Sequence, residues 1–225
     1  MSDIIAATST PAVMGTMTMG YFYMIHYFTS IMAKRPAHSL NTIMQAYNIF
    51  QVLFNGYIVY GLYQAFPPSN IFGINIPYDD KIRYFVYLHY ISKYTDYLDT
   101  LFMILRKKST QLSLLHIYHH STVGLVWGTL TYIGHGNGTA AFGCMVNSFI
   151  HTIMYAHYFY TSLGFKNPLK QYITIAQLLQ FVICMMHAFT VLIYERVAFA
   201  ELAYAEILYH ITMLYLFGKF YLSSY

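Results

Sequence analysis

"SLLHIYHHSTVGLVWGTLTYI", Ser113 to Ile133, is an apolar run of 21 residues that nevertheless carries His116, His119 and His120. A helix of about 20 largely apolar residues crosses a bilayer. At about 100° per residue, positions i, i+3 and i+4 share one face within a single turn, and Ser113 joins that face. An ionisable group near the centre of a membrane helix costs about 2.5 to 3.5 kcal/mol even on the mildest scale, so three on one face point inward, to partners or to a cavity. Reading this run as a span makes the fold a helical membrane bundle with a polar interior.

The composition agrees. Of 225 residues, 57% are hydrophobic and 9% charged, with a mean hydropathy of +0.44, whereas roughly a quarter of a soluble domain is charged. A soluble all-helical fold would have to expose several faces rich in Phe, Ile and Met. Cys144 and Cys184 are the two cysteines and lie in apolar runs, which leaves no disulfide framework and no Cys-rich metal site. The N-terminal MSDIIAATSTPAVMG lacks the basic start and cleavage site of a signal peptide, so the first apolar run is read as a retained span.

Seven runs of spanning length emerge between Pro, Gly and charge: roughly 13–33, 42–66, 82–105, 113–133, 140–163, 172–193 and 202–222. The expectation is an all-α, polytopic membrane protein of seven transmembrane helices, a single domain over 1–225 embedded in the lipid bilayer, with no internal repeat. Lys34 and Arg35, then Arg106, Lys107 and Lys108, then Lys166 and Lys170 fall in alternate loops that share a side. The other loops hold Asp79 and Asp80 beside Lys81 and Arg83, the charge-poor IGHGNGT turn, and Glu195 beside Arg196. By the positive-inside rule the first group is cytosolic, the N-terminus lumenal and the C-terminus cytosolic. No nucleic-acid partner is expected. The sequon Asn137-Gly138-Thr139 falls in a very short lumenal loop against the membrane and is expected to stay unmodified.

Polar residues cluster by face. His89, Lys93, Asp96 and Thr100 form one stripe of the third run, with Asp99 at its edge. This group reads either as an ion pair ordering the bundle or as a carboxylate that orients an imidazole of the fourth run. In the fifth run Asn147, His151, Met154, Tyr155 and Tyr158 share a face with Cys144 above them, while His157 points away. Thr174, Gln177, Gln180 and Cys184 stripe the sixth. Four successive helices thus present polar faces to a common chamber.

Two chemistries suit this set. His-x-x-His-His boxes occur in membrane di-iron enzymes, but one box and scattered single histidines are too few for such a centre. A single zinc on His116, His120 and His151 is geometrically open, since i, i+4 histidines suit zinc. The other chemistry is nucleophilic and acid–base work by imidazole, which titrates near neutrality and can hold an acyl group as an acyl-imidazole. A Cys144 thiol is a further candidate nucleophile, disfavoured by its apolar surroundings.

The chain resembles the very-long-chain fatty acid elongases, the ELO family of membrane condensing enzymes. The resemblance is carried by Lys93-Tyr-Thr-Asp96-Tyr-Leu-Asp99-Thr100, by Gln111-Leu-Ser113-Leu-Leu115-His116-Ile-Tyr-His119-His120, by Asn147-Ser-Phe-Ile-His151-Thr-Ile-Met154-Tyr155-Ala-His157-Tyr158, and by Thr174-Ile-Ala-Gln177-Leu-Leu-Gln180-Phe181. It extends from "AKRPAHSLNTIMQAYN" at Ala33 to "LFGKFYLSSY" at the end.

The resemblance implies seven spans, six of them surrounding an acyl tunnel closed toward the lumen, and an endoplasmic reticulum location, although the chain ends without the family's lysine-bearing retrieval tail. It implies a 3-oxoacyl-CoA synthase that condenses long-chain acyl-CoA with malonyl-CoA, with no cofactor and no resident metal. His119 or His151 would take the acyl group and His116 and His120 would relay protons. Asp96 or Asp99 would polarise a histidine beside Lys93, and Asn147, Tyr155 and Gln177 would donate to developing oxyanions. Gln111, Tyr158, Gln180 and the basic residues Arg106, Lys107, Lys108, Lys166 and Lys170 would bind substrate. The reductases and dehydratase of the elongation cycle, and a second copy of the chain, are the implied partners. Asp96 stands where the family has Glu, one methylene longer, and His157 where it has Tyr. His116, where some polyunsaturated elongases have Gln, leans toward saturated or monounsaturated substrates. The rival to an enzyme is a seven-helix receptor or transporter.

Overall fold

A computed structural model describes residues 2–166, 169–195 and 200–224 of the chain. Among these residues there are nine helices and no strand: α1 (Ser2–Thr8), α2 (Pro11–Ala33), α3 (Asn41–Ala65), α4 (Asp80–Thr95), α5 (Tyr97–Leu105), α6 (Leu114–Tyr132), α7 (Ala140–Ser162), α8 (Lys170–Tyr194) and α9 (Ala200–Ser224). The long helices fall on the seven apolar runs, with α4 and α5 sharing the third. By length and composition α8, with a mean hydropathy of 1.9, is the one described helix apolar enough to cross a membrane. The other runs spend positions on Tyr, His, Asn and Gln, which lower the average; Asn48, Gln51, Asn55 and His89 among them are buried, while Tyr23, Tyr60 and Tyr63 are exposed. Arg196 lies outside the described residues.

Local chemistry sets the helix starts. The Thr10 hydroxyl accepts from Val13 N at 3.3 Å, with Pro11 at the first position of α2, where its missing N–H costs nothing. Asp79 Oδ1 accepts from the N–H groups of Lys81 and Ile82 at 2.7 and 3.0 Å to begin α4. Ser113 Oγ accepts from His116 N at 3.2 Å, which starts α6 so that all three histidines fall in its first two turns. Between α4 and α5 the hydroxyls of Ser92 and Thr95 donate back to the carbonyls of His89 and Ser92, each at 2.7 Å. Such back-bonding bends helices. The chain tightens at Asp96, with Asp99 N donating to Asp96 O at 3.1 Å, and then resumes as α5.

Packing closes six of these elements into a ring: α3 packs on α4, α4 on α6, α6 on α9, α9 on α8, α8 on α7, and α7 back on α3. Helix α2 stands outside, against α5 and α6. Helices α4 and α7 also touch across the ring and divide its interior. The side toward α3 is filled by an apolar core that includes Ile58, Leu62, Val86, Ala141 and Cys144. The outer faces carry Met19, Leu53, Met186, Ile193 and Leu208, all exposed, as a hydrocarbon-facing surface requires.

Alternate loops gather at opposite ends. At the basic end His38 N donates to Leu105 O at 2.9 Å, and Gln45 Nε2 donates to Ser162 O at 3.1 Å. At the other end Asn75 N donates to Glu195 Oε1 at 2.6 Å, and Asn137 Nδ2 donates to Asp79 O at 2.7 Å. There the 66–79 loop turns in over the bundle: the Phe72 ring lies 5.3 Å from Phe142 and 6.2 Å from His187, whose Nε2 is 2.8 Å from Phe72 O. Gly73, at φ +69°, permits this approach, because a Cβ there would strike Gly138 O.

Gly128 decides how closely α6 meets its neighbours, since a Cβ at that position would overlap Met14 of α2 and Tyr90 of α4. Replacing Gly128 with Val is expected to destabilise the fold by about 1–3 kcal/mol through overpacking. Thermal unfolding in detergent would read this as a lowered midpoint, and an unchanged midpoint would contradict the packing.

Candidate active site

The bend at Asp96 aims the end of α4 and the start of α5 at two neighbours. Lys93, fully buried, donates from Nζ to Asn147 Oδ1 on α7 at 2.8 Å and lies 3.7 Å from Asp96 Oδ2. Asp96 Oδ1 accepts from Gln51 Nε2 at 2.7 Å and from the Tyr155 hydroxyl at 3.0 Å. The same hydroxyl lies 2.5 Å from Asp99 Oδ2, which also accepts from the Tyr47 hydroxyl at 3.1 Å. Gln51 Nε2 in turn donates to the Tyr47 oxygen at 2.8 Å. Both carboxylates thus accept from donors on α3 and α7, Lys93 stands beside Asp96, and Tyr155, with a single proton to give, lies between the two.

His151, 8% exposed, lies one turn before Tyr155 with Nδ1 3.6 Å from Asp96 Oδ2. At that distance the carboxylate attracts a protonated ring without hydrogen-bonding to it, and His151 Nδ1 is buried with no hydrogen-bond partner among the described residues. On α6 the His116 and His120 rings are tilted at 35° with centroids 4.1 Å apart, and His119 is edge-on to His120 at 5.6 Å. His116 Nε2 lies 2.7 Å from Thr100 Oγ1, which is 3.1 Å from the Tyr21 hydroxyl. His119 Nδ1 is 3.4 Å from the Tyr209 hydroxyl on α9. Lys93, His119, His120 and His151 lie within electrostatic reach of one another, so an added positive charge on any one is felt by the rest.

The sequence-derived residues therefore converge for the most part. Lys93, Asp96, Asp99, His116, His119, His120, Asn147, His151 and Tyr155 form one polar layer in the half of the bundle nearer the basic loops. Gln177 approaches from α8, its Nε2 3.4 Å from Met154 Sδ. Gln180 is buried on α8, Tyr158 is exposed at the end of α7 beside the Tyr155 ring, and Gln111 is exposed in the loop before α6. Arg106 is half-buried, while Lys107, Lys108, Lys166 and Lys170 are exposed at the basic end. Cys144 is buried in the apolar core, and its one neighbour in this layer is Lys93, by electrostatic interaction. Among the described residues, no three His, Cys, Asp or Glu side chains are arranged to hold a metal ion, so the His116, His120 and His151 zinc geometry is not formed.

Tyr47, Gln51, Tyr21 and Tyr209 were not singled out from the sequence. The stripe Asn48, Gln51 and Asn55 on α3, buried throughout, was the available signal for the first two. Tyr21 and Tyr209 are lost among 25 tyrosines.

Comparison with known proteins gives a match of residues 6–225 to the family described as ELO: GNS1/SUR4. The chain is 42% identical over 203 residues to fatty acid elongase 5 of Leishmania major, covering 90% of this chain and 81% of that one. It is 39% identical to fatty acid elongase 5 of Trypanosoma cruzi, covering 92% and 81%. It is 33% identical to very long chain fatty acid elongase 4 of Homo sapiens, covering 86% and 65%.

Gln51 is the donor on which the geometry of Asp96 depends. Gln51→Leu keeps the volume and removes the N–H groups, and is expected to cost about 1–3 kcal/mol by leaving a buried carboxylate oxygen short of a partner. Gln64→Leu, at an exposed position of the same helix, is the control. Equal unfolding midpoints for the two variants would contradict this role.

Proposed function

This chain belongs to the ELO (GNS1/SUR4) family, and on that premise we propose that it is an endoplasmic reticulum condensing enzyme joining long-chain acyl-CoA to malonyl-CoA. The products are 3-oxoacyl-CoA, carbon dioxide and CoA. The observation that carries this reading is the polar layer itself: the half-buried imidazoles of α6 gather with His151, Asn147 and Lys93 inside the ring, with basic loops at the nearer end.

The reaction proceeds in two transfers. An imidazole of the His119 and His151 pair attacks the thioester carbonyl, forming a C–N bond as the C–S bond breaks and CoA leaves as the protonated thiol. Malonyl-CoA then loses carbon dioxide, and the electron pair of the broken bond becomes its enolate. The enolate carbon attacks the acyl-imidazole carbonyl, the C–N bond breaks, and the leaving imidazole takes up a proton relayed from water by His116 and His120, replacing the one it gave to the departing CoA thiolate. Asp96 attracts His151 when it is protonated, Tyr209 orients His119, and Asn147 held by Lys93 supports the oxyanion. No metal or other cofactor enters this scheme.

Seven spans with the basic loops in the cytosol follow the positive-inside rule, which puts the N-terminus in the lumen and the C-terminus in the cytosol. Polyanionic CoA then meets Arg106, Lys107, Lys108, Lys166 and Lys170 at the mouth, and the acyl chain runs inside the six-helix ring. The receptor or transporter reading gives thioester chemistry no role and does not account for the elongase relatives.

Mass spectrometry of purified protein mixed with palmitoyl-CoA alone is expected to show an acyl adduct on a peptide holding His119 or His151, with CoA released before malonyl-CoA is added. His119→Ala and His151→Ala should each lower carbon dioxide release from labelled malonyl-CoA by about a hundredfold or more. Condensation with no adduct and no early CoA would remove the covalent intermediate. No labelled carbon dioxide with any acyl-CoA would remove the condensation itself.

A further inference from the structure

The polar layer occupies the basic half of the ring, and a second convergence lies deeper in the same interior. Gly143 is on α7 eight residues from His151, and Trp127 is on α6 eight residues from His119, both toward the far end. At 1.5 Å per residue this level is about 12 Å below the two imidazoles. Helix α7 packs on α3, α4 and α8. Yet a Cβ added to Gly143 would lie 3.8 Å from Trp127 Cη2 on α6 and 3.8 Å from Glu206 Oε1 on α9. A Cβ at Gly143 would thus be in ordinary contact with α6 and α9 at once, and the bare glycine leaves a narrow gap of that width where the three helices meet. The contrast with Gly61 and Gly128 is plain, since a Cβ there would run into Phe85, or into Met14 and Tyr90.

Glu206 is the second observation. Its side chain is half-buried, and among the described residues no hydrogen bond reaches its carboxyl oxygens, although its backbone carbonyl is 2.8 Å from His210 Nδ1. A carboxyl inside a membrane bundle without a partner marks a cavity or a path. At this same depth the Phe72, Phe142 and His187 rings cover the end of the bundle beside it.

We propose that Gly143, Trp127 and Glu206 form a constriction in the acyl path, and that the bare Gly143 position admits the distal part of long chains. This rests on the condensation reading above, which supplies the acyl chain. With bonds of about 1.5 Å and angles near 111°, each carbon advances about 1.25 Å, so the constriction meets the chain near the tenth carbon. Shorter chains end before it. Gly143 is therefore a specificity-determining position, remote from the reacting atoms.

The test uses the full chain in detergent with labelled malonyl-CoA and octanoyl-, decanoyl- or palmitoyl-CoA in turn. In Gly143→Leu the ratio of palmitoyl to octanoyl turnover is expected to fall about tenfold or more, the discrimination a filled apolar pocket gives, with the unfolding midpoint kept. Glu206→Phe narrows the same point from α9 and should produce the same selective loss. An unchanged ratio in either folded variant, or equal loss at every chain length, overturns the constriction while leaving the condensation reading intact. A wild-type protein that releases no carbon dioxide with any acyl-CoA overturns both.

Discussion

A single buried ammonium ties the two halves of the molecule together. Lys93 reaches across the ring to Asn147 while standing beside Asp96, so one side chain fixes the distance between α4 and α7 and neutralises part of the charge that the carboxylates bring. In hydrocarbon such a group survives only among partners, and their removal would leave an uncompensated charge. The contact also divides the interior: the side toward α3 is packed, and the side toward α6, α8 and α9 keeps its polar faces accessible. The contact that holds α4 to α7 is therefore also the one that brings Asp96 and His151 together.

Around that ammonium the donors are nearly all committed. Gln51 gives one N–H to Asp96 and one to Tyr47, and the hydroxyls of Tyr47 and Tyr155 both reach Asp99. Rigid carboxylates keep their charge beside a neighbouring imidazole without moving during reaction, which is what preorganised catalysis requires. Asp96 is short enough that Gln51 and Tyr155 meet the same oxygen and leave the other one turned toward Lys93 and His151.

Much of this was legible in the chain. The periods of His116, His119 and His120, and of His89, Lys93, Asp96 and Thr100, place each set on one face, and membrane physics requires those faces to turn inward. The helix bounds followed from Pro, Gly and charge to within a few residues. What escaped was the identity of the partners. Tyr47 and Gln51 carry no charge, and nothing local says that α3 comes to lie against the bend at Asp96. That bend depends on the hydroxyls of Ser92 and Thr95, which in another helix would be unremarkable. Glu206 stood alone among apolar neighbours, and only the ring order of the helices gives it a place opposite Gly143.

The 66–79 loop folds Phe72 against Phe142 and His187, so the bundle is covered at the end away from the basic residues. On the proposed condensation reading, an acyl chain threaded into this bundle meets these described rings ahead of it and leaves along the way it came. Residence time should then rise with each added pair of carbons, because every further methylene in contact with the walls must be withdrawn before the next turnover begins. Dissociation, and with it the point at which successive rounds stop, would be governed by the depth reached rather than by the speed of bond formation.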